Sequence, residues 1–281
     1  MPQSDGLYYT ISGGGACSFP PVLLIHGAGT SYQIWPFEMR RLTRYQIIAV
    51  DLPGHGRSEG TACHTVEAYT DRILSFLHSL KIVKTVLVGH DMGGAIALSA
   101  ALRPAGIAAG IGLISSGAFL GGETGIVNEL ATPFGHSYGL QLIQNQSFGS
   151  QAKPELVKST MQMLGKVRHG VLYSDWRACA GFDLRSEISH LKAPLWAAVG
   201  NEDSLTPPTF SRFLVDQLPG SALQVVAGAG HMLPLENGLE VVLGLRAFLE
   251  RIEFSRRQAG IYDTFLNDEY SSSHTQYGMF G

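Results

Sequence analysis

A mostly parallel β-sheet with helices on both faces, interrupted once by a helical insertion, is the fold class this sequence predicts. Three observations carry it. Short continuous apolar runs rich in Val, Ile and Leu recur along the chain, and a strand covered on both faces shows no polar side. Between those runs lie longer segments whose apolar residues return every three or four positions, the period of an amphipathic helix. At Val86-Leu87-Val88-Gly89-His90-Asp91-Met92-Gly93-Gly94-Ala95 a strand gives way to a helix almost without a loop.

Taken in order, Leu7–Ile11 reads as an edge strand closed by the turn Ser12-Gly13-Gly14-Gly15. Pro21–Ile25 is a buried strand that ends in His26-Gly27-Ala28-Gly29. A helical segment is expected around Pro36–Arg44, then a strand, Gln46–Val50, which opens into the turn-rich loop Asp51–Ser58. Val66, Tyr69, Ile73, Leu77 and Leu80 fall on one face of a helix ahead of the tight junction. A further buried strand spans Ile107–Ile114.

The alternation then stops. From about Gly117 to His190 there are helical blocks, among them Glu155–Val167 and Val171–Cys179, but no clear strand, which predicts an inserted helical lid. Core strands resume at Pro194–Gly200 and Ala222–Val226, and a helix over Leu239–Arg251 closes the body. The expected division is core over 1–116, lid over 117–190, core again over 191–253, and a polar tail with scattered aromatic residues over 254–281.

Composition bounds the function. Apolar residues make up 45% and charged residues 15% of 281, enough apolar surface for a sizeable core. A formal net charge of −3, with no basic cluster, argues against nucleic acid or an anionic membrane as partner. Cys17, Cys63 and Cys179 are odd in number and widely spaced, which suggests neither a disulfide framework nor a metal site. Met1–Gly6 lacks the charged start and apolar core of a signal peptide, and no apolar stretch is long enough to span a membrane. A soluble cytoplasmic protein acting on a small molecule without metal or cofactor is expected; a homodimer is compatible with this.

The junction at residues 86–95 raises Asp91 to the apex of a sharp turn, with glycines two places either side. This is the G-x-nucleophile-x-G elbow, with a carboxylate where serine is commoner. Asp203 and His231 follow later, each just past a predicted strand, in the order nucleophile, acid, histidine. In an open parallel sheet those strand ends are where ligands bind. Together with the His26-Gly27-Ala28-Gly29 and Asp51–Ser58 loops, these features resemble the α/β-hydrolase family over about residues 7–252. The resemblance implies that His231, oriented by Asp203, serves Asp91, and that the backbone N–H groups of Ala28 and Met92 form an oxyanion hole. The positions of His26 and His90 suggest structural hydrogen bonding, His55 in its turn loop reads as structural, and the Pro-Gly-x-Gly context of Asp51 resembles the family's structural loop. Glu202 is the rival for the acid, and Asp183 is read as a cap or a solvent-facing residue.

Family members with Asp at the elbow are epoxide hydrolases and dehalogenases, in which the carboxylate forms an alkyl ester that activated water then cleaves. Met92 and Ala28 stand where dehalogenases usually carry Trp and often Asn, and the Arg that follows the nucleophile in fluoroacetate-type enzymes is absent. Epoxide hydrolase-like chemistry is therefore the first expectation, with Tyr138 and Tyr173 as candidate acids and Trp35 and Trp176 as pocket walls. The surrounding motifs, Gly-His-x-Met-Gly-Gly and Gly-His-Met-Leu-Pro-Leu-Glu, are those of the serine branch. The alternative is thus an esterase, lactonase or C–C hydrolase relative with Asp91 in place of serine, either inactive or using Asp91 as a general base. A ligand-binding protein without turnover is the third reading.

Overall fold

The computed structural model describes residues 2–14, 19–121 and 124–260. Among the described residues eight strands form one sheet: β1 (Gln3–Ser4), β2 (Leu7–Ser12), β3 (Val22–Ile25), β4 (Ile47–Val50), β5 (Thr85–His90), β6 (Ala108–Ile114), β7 (Leu195–Gly200) and β8 (Ala222–Val226). Their order is β1-β2-β4-β3-β5-β6-β7-β8. The β1–β2 and β2–β4 pairs are antiparallel, and the pairs from β4 to β8 are parallel.

Side chains alternate across these strands, so one apolar run feeds two cores. Leu23, Ile25, Ile48, Val50 and Leu87 point into one layer. Val22, Leu24, Ile47, Ala49, Val86 and Val88 point into the other. The first layer is closed by α1 (Val66–Ser79), α2 (Met92–Leu102) and α7 (Pro208–Gln217), the second chiefly by α9 (Gly238–Gln258). At the start of α1 the Thr65 hydroxyl accepts the Ala68 N–H at 3.1 Å, an N-cap that fixes where the helix begins.

Between β6 and β7 the chain makes α3 (Thr124–Leu130), α4 (His136–Ser147), α5 (Pro154–Leu164) and α6 (His169–Ala180). The insertion leaves and re-enters the body at one place, where Phe119 bridges Asp183 and the Leu184 N–H donates to Ala118 O at 2.7 Å. A four-residue helix, α8 (Leu233–Glu236), precedes α9.

Two expectations change. The segment around Pro36–Arg44 holds only a short 3₁₀ turn, Met39–Arg41, which ends where Leu42 adopts an extended backbone (φ −65°, ψ 91°). The tail expected from residue 254 begins later, because α9 continues to Gln258. Ile252 is buried there, and Glu253 pairs with Arg257 one turn on and with Arg44. Residues 261–281 and Cys17 lie outside the described residues. Among the described residues no helix is long and apolar enough to cross a membrane.

Candidate active site

The site is built on the β5–α2 turn. Strand and helix approach so closely that a Cβ on Gly89 would lie 2.1 Å from Gly93 O, and one on Gly93 would lie 2.0 Å from Ile25 O. Both obstacles are backbone atoms of central elements, which have no room to yield. Gly93→Ala is therefore expected to cost about 3 kcal/mol or more of folding stability by chemical denaturation. At the apex Asp91 has φ 52° and ψ −121°, a left-handed backbone that a non-glycine residue keeps only under constraint. The constraint is visible. Its N–H donates to Ile114 O at 3.1 Å, and its carbonyl accepts from Gly94 N–H at 2.9 Å and Ser116 Oγ at 2.8 Å.

The Asp91 carboxylate is thereby aimed at two partners. Oδ2 accepts the Ala28 N–H at 2.9 Å. Oδ1 lies 3.7 Å from His231 Nε2, outside hydrogen-bond range. On the far side of the ring, His231 Nδ1–H faces both Asp203 oxygens at 3.1 Å. Asp203 also accepts from Leu205 N–H (3.1 Å), Thr206 N–H (2.8 Å) and the Thr206 hydroxyl (2.8 Å). The structure thus brings Asp91, His231, Asp203 and Ala28 together, with Met92 N–H at the first position of α2 beside them.

Electrostatics follow from this. Burial alone would drive the His231 imidazole neutral, but the adjoining Asp203 carboxylate outweighs it and Asp91 adds to the effect, so its pKa rises to about 9. Burial likewise works against the Asp203 charge, yet the imidazole and the donated hydrogen bonds hold its pKa below the usual carboxylate value.

His26, His90 and His55 are each buried and hydrogen-bonded within the body. His26 Nε2 accepts the Leu52 N–H at 2.9 Å while Nδ1–H donates to Gly27 O at 2.9 Å. His90 donates Nε2–H to the His231 carbonyl at 2.9 Å, and burial with the neighbouring His231 lowers its pKa to about 4. His55 donates Nε2–H to Asp175 at 2.7 Å, and Asp51 accepts from Tyr32 N–H and Arg57 N–H. Glu202 is no rival for the acid: its exposed carboxylate accepts from Ser150 N–H and Oγ, away from the ring. Asp183 is an exposed partner of Arg185.

A cavity of ≈ 20 Å³ opens over Asp91, lined by Ala28, Leu120, Trp176, Cys179, Leu205 and Thr206. That is room for about one water. Of the four aromatic residues expected around the substrate, only Trp176 lines it. Trp35 is fully buried in the second core layer, Tyr138 on α4 is half exposed, and Tyr173 packs against that same layer. For Tyr138, Tyr173 and Trp176, on the insertion, the outcome is set by how each helix is rotated, which spacing alone does not reveal. Sequence reasoning missed Thr206 and Cys179. Among the described residues no group of three or more His, Cys, Asp or Glu is placed to hold a metal.

A family model described as "Alpha/beta hydrolase family" matches residues 22–244. The chain is 27% identical over 248 residues to the dihydrolipoyllysine-residue acetyltransferase component of an acetoin cleaving system from Pseudomonas putida, covering 82% of this chain but 64% of that protein. It is 25% identical over 244 residues to a putative carbamate hydrolase, RutD, from Caulobacter sp., covering 81% of this chain and 89% of that one. A thermophilic esterase from Thermogutta terrifontis superposes with a TM-score of 0.78 at 23% identity, over 88% of this chain and 93% of the other. That likeness speaks for the fold.

Proposed function

The chain belongs to the alpha/beta hydrolase family, and from that premise we propose that it hydrolyses a small uncharged electrophile at a saturated carbon, with Asp91 as covalent nucleophile. One contact carries the reading, the 2.9 Å hydrogen bond from Ala28 N–H to Asp91 Oδ2. In a serine-type site the oxyanion hole waits for the oxygen of a substrate carbonyl. Here the carboxylate's own oxygen fills it, so an ester formed through Oδ1 would have its carbonyl oxygen seated where negative charge must later develop.

Chemistry points the same way. A carboxylate that attacks a carboxylic ester makes an anhydride, which reverts easily. At an alkyl carbon it makes a stable ester. Asp91 Oδ1 bonds to carbon as the leaving group departs with its electron pair. His231 then takes a proton from water, whose oxygen adds to Asp91 Cγ and pushes charge onto Oδ2. Collapse expels the alkoxide, which takes the proton from His231; the carboxyl group then loses its own. The sum is R–X plus water to R–OH, a proton and X⁻.

The lining narrows the substrate. Among the described residues that line it Asp91 alone is charged, so an uncharged group over Asp91 suits it. Neither Tyr138 nor Tyr173 lines the cavity, so among the described residues no phenol lines it to protonate an epoxide oxygen. Leaving groups that depart as weakly basic anions ask less of these walls. Single turnover in ¹⁸O-labelled water is expected to place the label in the Asp91 carboxylate, read by peptide mass. Label found only in the product alcohol would overturn the covalent reading.

A second reading has one observation in its favour, the similarity to a carbamate hydrolase. In it Asp91 stands in a serine's place. Asp91→Ser would then empty the hole and is expected to raise p-nitrophenyl acetate hydrolysis by at least about tenfold, the effect of a gained nucleophile and a freed oxyanion site. No gain counts against this reading.

A further inference from the structure

The carboxylate of Asp175, on α6 of the insertion, is completely buried and unused by the chemistry above. Three donors from three parts of the core converge on it. Gly29 N–H reaches Oδ2 at 2.8 Å, His55 Nε2–H reaches the same oxygen at 2.7 Å, and the Tyr69 hydroxyl reaches Oδ1 at 2.5 Å. A carboxylate is costly to bury, so this cluster ties the insertion to the body only while all its bonds are made.

The important partner is Gly29. It directly follows Ala28, whose N–H holds Asp91 Oδ2. The same helix also presses on Gly29 through Leu172, whose Cδ1 would stand 2.7 Å from a Cβ there. One turn further, Trp176 and Cys179 of α6 wall the cavity. A single helix therefore both shapes the pocket and grips the loop that supplies the oxyanion-hole donor.

We propose that Asp175 is a positioning residue: through Gly29 it holds the Ala28 N–H on the oxygen that bears charge when the Asp91 ester is hydrolysed. A purely structural staple would, when weakened, lower every activity in step with the folded fraction. A positioning residue divides the two half-reactions. Ester formation draws charge away from Asp91 and does not depend on a tightened hole. Ester breakdown concentrates charge on Oδ2 and does.

The kinetic part rests on the nucleophile reading, so the experiment has an arm that does not. In Asp175→Asn, amide hydrogen exchange at Ala28 and Gly29 is expected to rise at least about tenfold relative to Leu24, which sits in the central strand and reports global opening. With methyl iodide as alkylating probe, breakdown of the Asp91 ester in that variant should slow by about tenfold or more, while its formation changes less than about threefold. Unchanged relative exchange at both amides, or equal slowing of the two half-reactions, overturns the proposal. Should wild-type protein form no ester, the nucleophile reading fails and the exchange arm alone decides on Asp175. If Asp175→Asn does not fold, Tyr69→Phe removes one donor and keeps the carboxylate. A rise of about threefold at the Gly29 amide is then expected, and none overturns the proposal.

Discussion

His231→Gln is expected to stop the reaction halfway, with the alkyl group of the substrate left on Asp91 in one-to-one amount. Glutamine is compact enough for the space the ring occupies, but its amide cannot take a proton from water. Formation of the ester needs only Asp91 Oδ1, which makes no hydrogen bond to the ring at 3.7 Å. Breakdown needs a base within reach of a water over Cγ, and His231 Nε2, 3.7 Å from Oδ1, is the ring nitrogen that stands on that side. Loss of a positioned base costs about 10²–10⁴ in rate. Turnover should fall by about 10³-fold within that range, while intact-protein mass rises by the alkyl group and peptide mapping assigns the gain to Asp91. A variant that turns over at the wild-type rate, or one that never gains mass across a panel of alkyl electrophiles, would refute the mechanism.

Much of this architecture was legible in the sequence because steric necessity leaves a written trace. A strand covered on both faces must be apolar throughout, and Val22–Ile25, Ile47–Val50 and Val86–Val88 are. A helix packed against its own strand must discard Cβ atoms, and Gly89 and Gly93 do so. Once Asp91 was placed by that rule, Asp203 and His231 stood out by their positions after later strands, and the structure sets the Asp203 carboxylate 3.1 Å from the His231 imidazole. The insertion was legible as helical but not in what faces inward. On α6, residues 172, 175, 176 and 179 lie along one stripe of the helix, and Tyr173 lies about 100° away from Leu172. Leu172, Asp175, Trp176 and Cys179 accordingly meet the core or the cavity, whereas Tyr173 packs half-buried against the second core layer and does not reach the cavity. Periodicity supports that stripe; what hid Asp175 is that a carboxylate in an apolar stripe makes sense only once Gly29, His55 and Tyr69, distant in sequence, are seen around it.

Asp203→Asn should change both the chemistry and the pH dependence of stability, and the sign of each can be worked out. The folded pKa of His231 is about 9 against 6.5 for a free histidine. Its contribution to stability is therefore complete below pH 6.5 and is lost as pH rises through 9. For a ring this buried the loss across that window is about 3 kcal/mol, from the 1.36 kcal/mol that each pH unit of difference represents. The lowered pKa of Asp203 acts in the opposite limb, where stability falls with acid, and leaves this window alone. Because Asp203 is the chief cause of the raised value, Asp203→Asn should flatten the decline, as read from urea unfolding at pH 6.5 and at pH 9. Catalytically the same carboxylate fixes the ring so that Nε2 faces Asp91, and its loss should slow ester breakdown by about 10³–10⁴-fold while leaving ester formation comparatively fast. The mechanism explains why a histidine protonated in the resting site can still serve as the base. Alkylation neutralises Asp91, one of the charges that hold the imidazolium, so the pKa that governs ester breakdown should lie below about 9. Titration of the His231 ring by NMR in free protein, set against the pH profile of ester breakdown, checks this directly, and coincident values would show that Asp91 keeps its charge throughout.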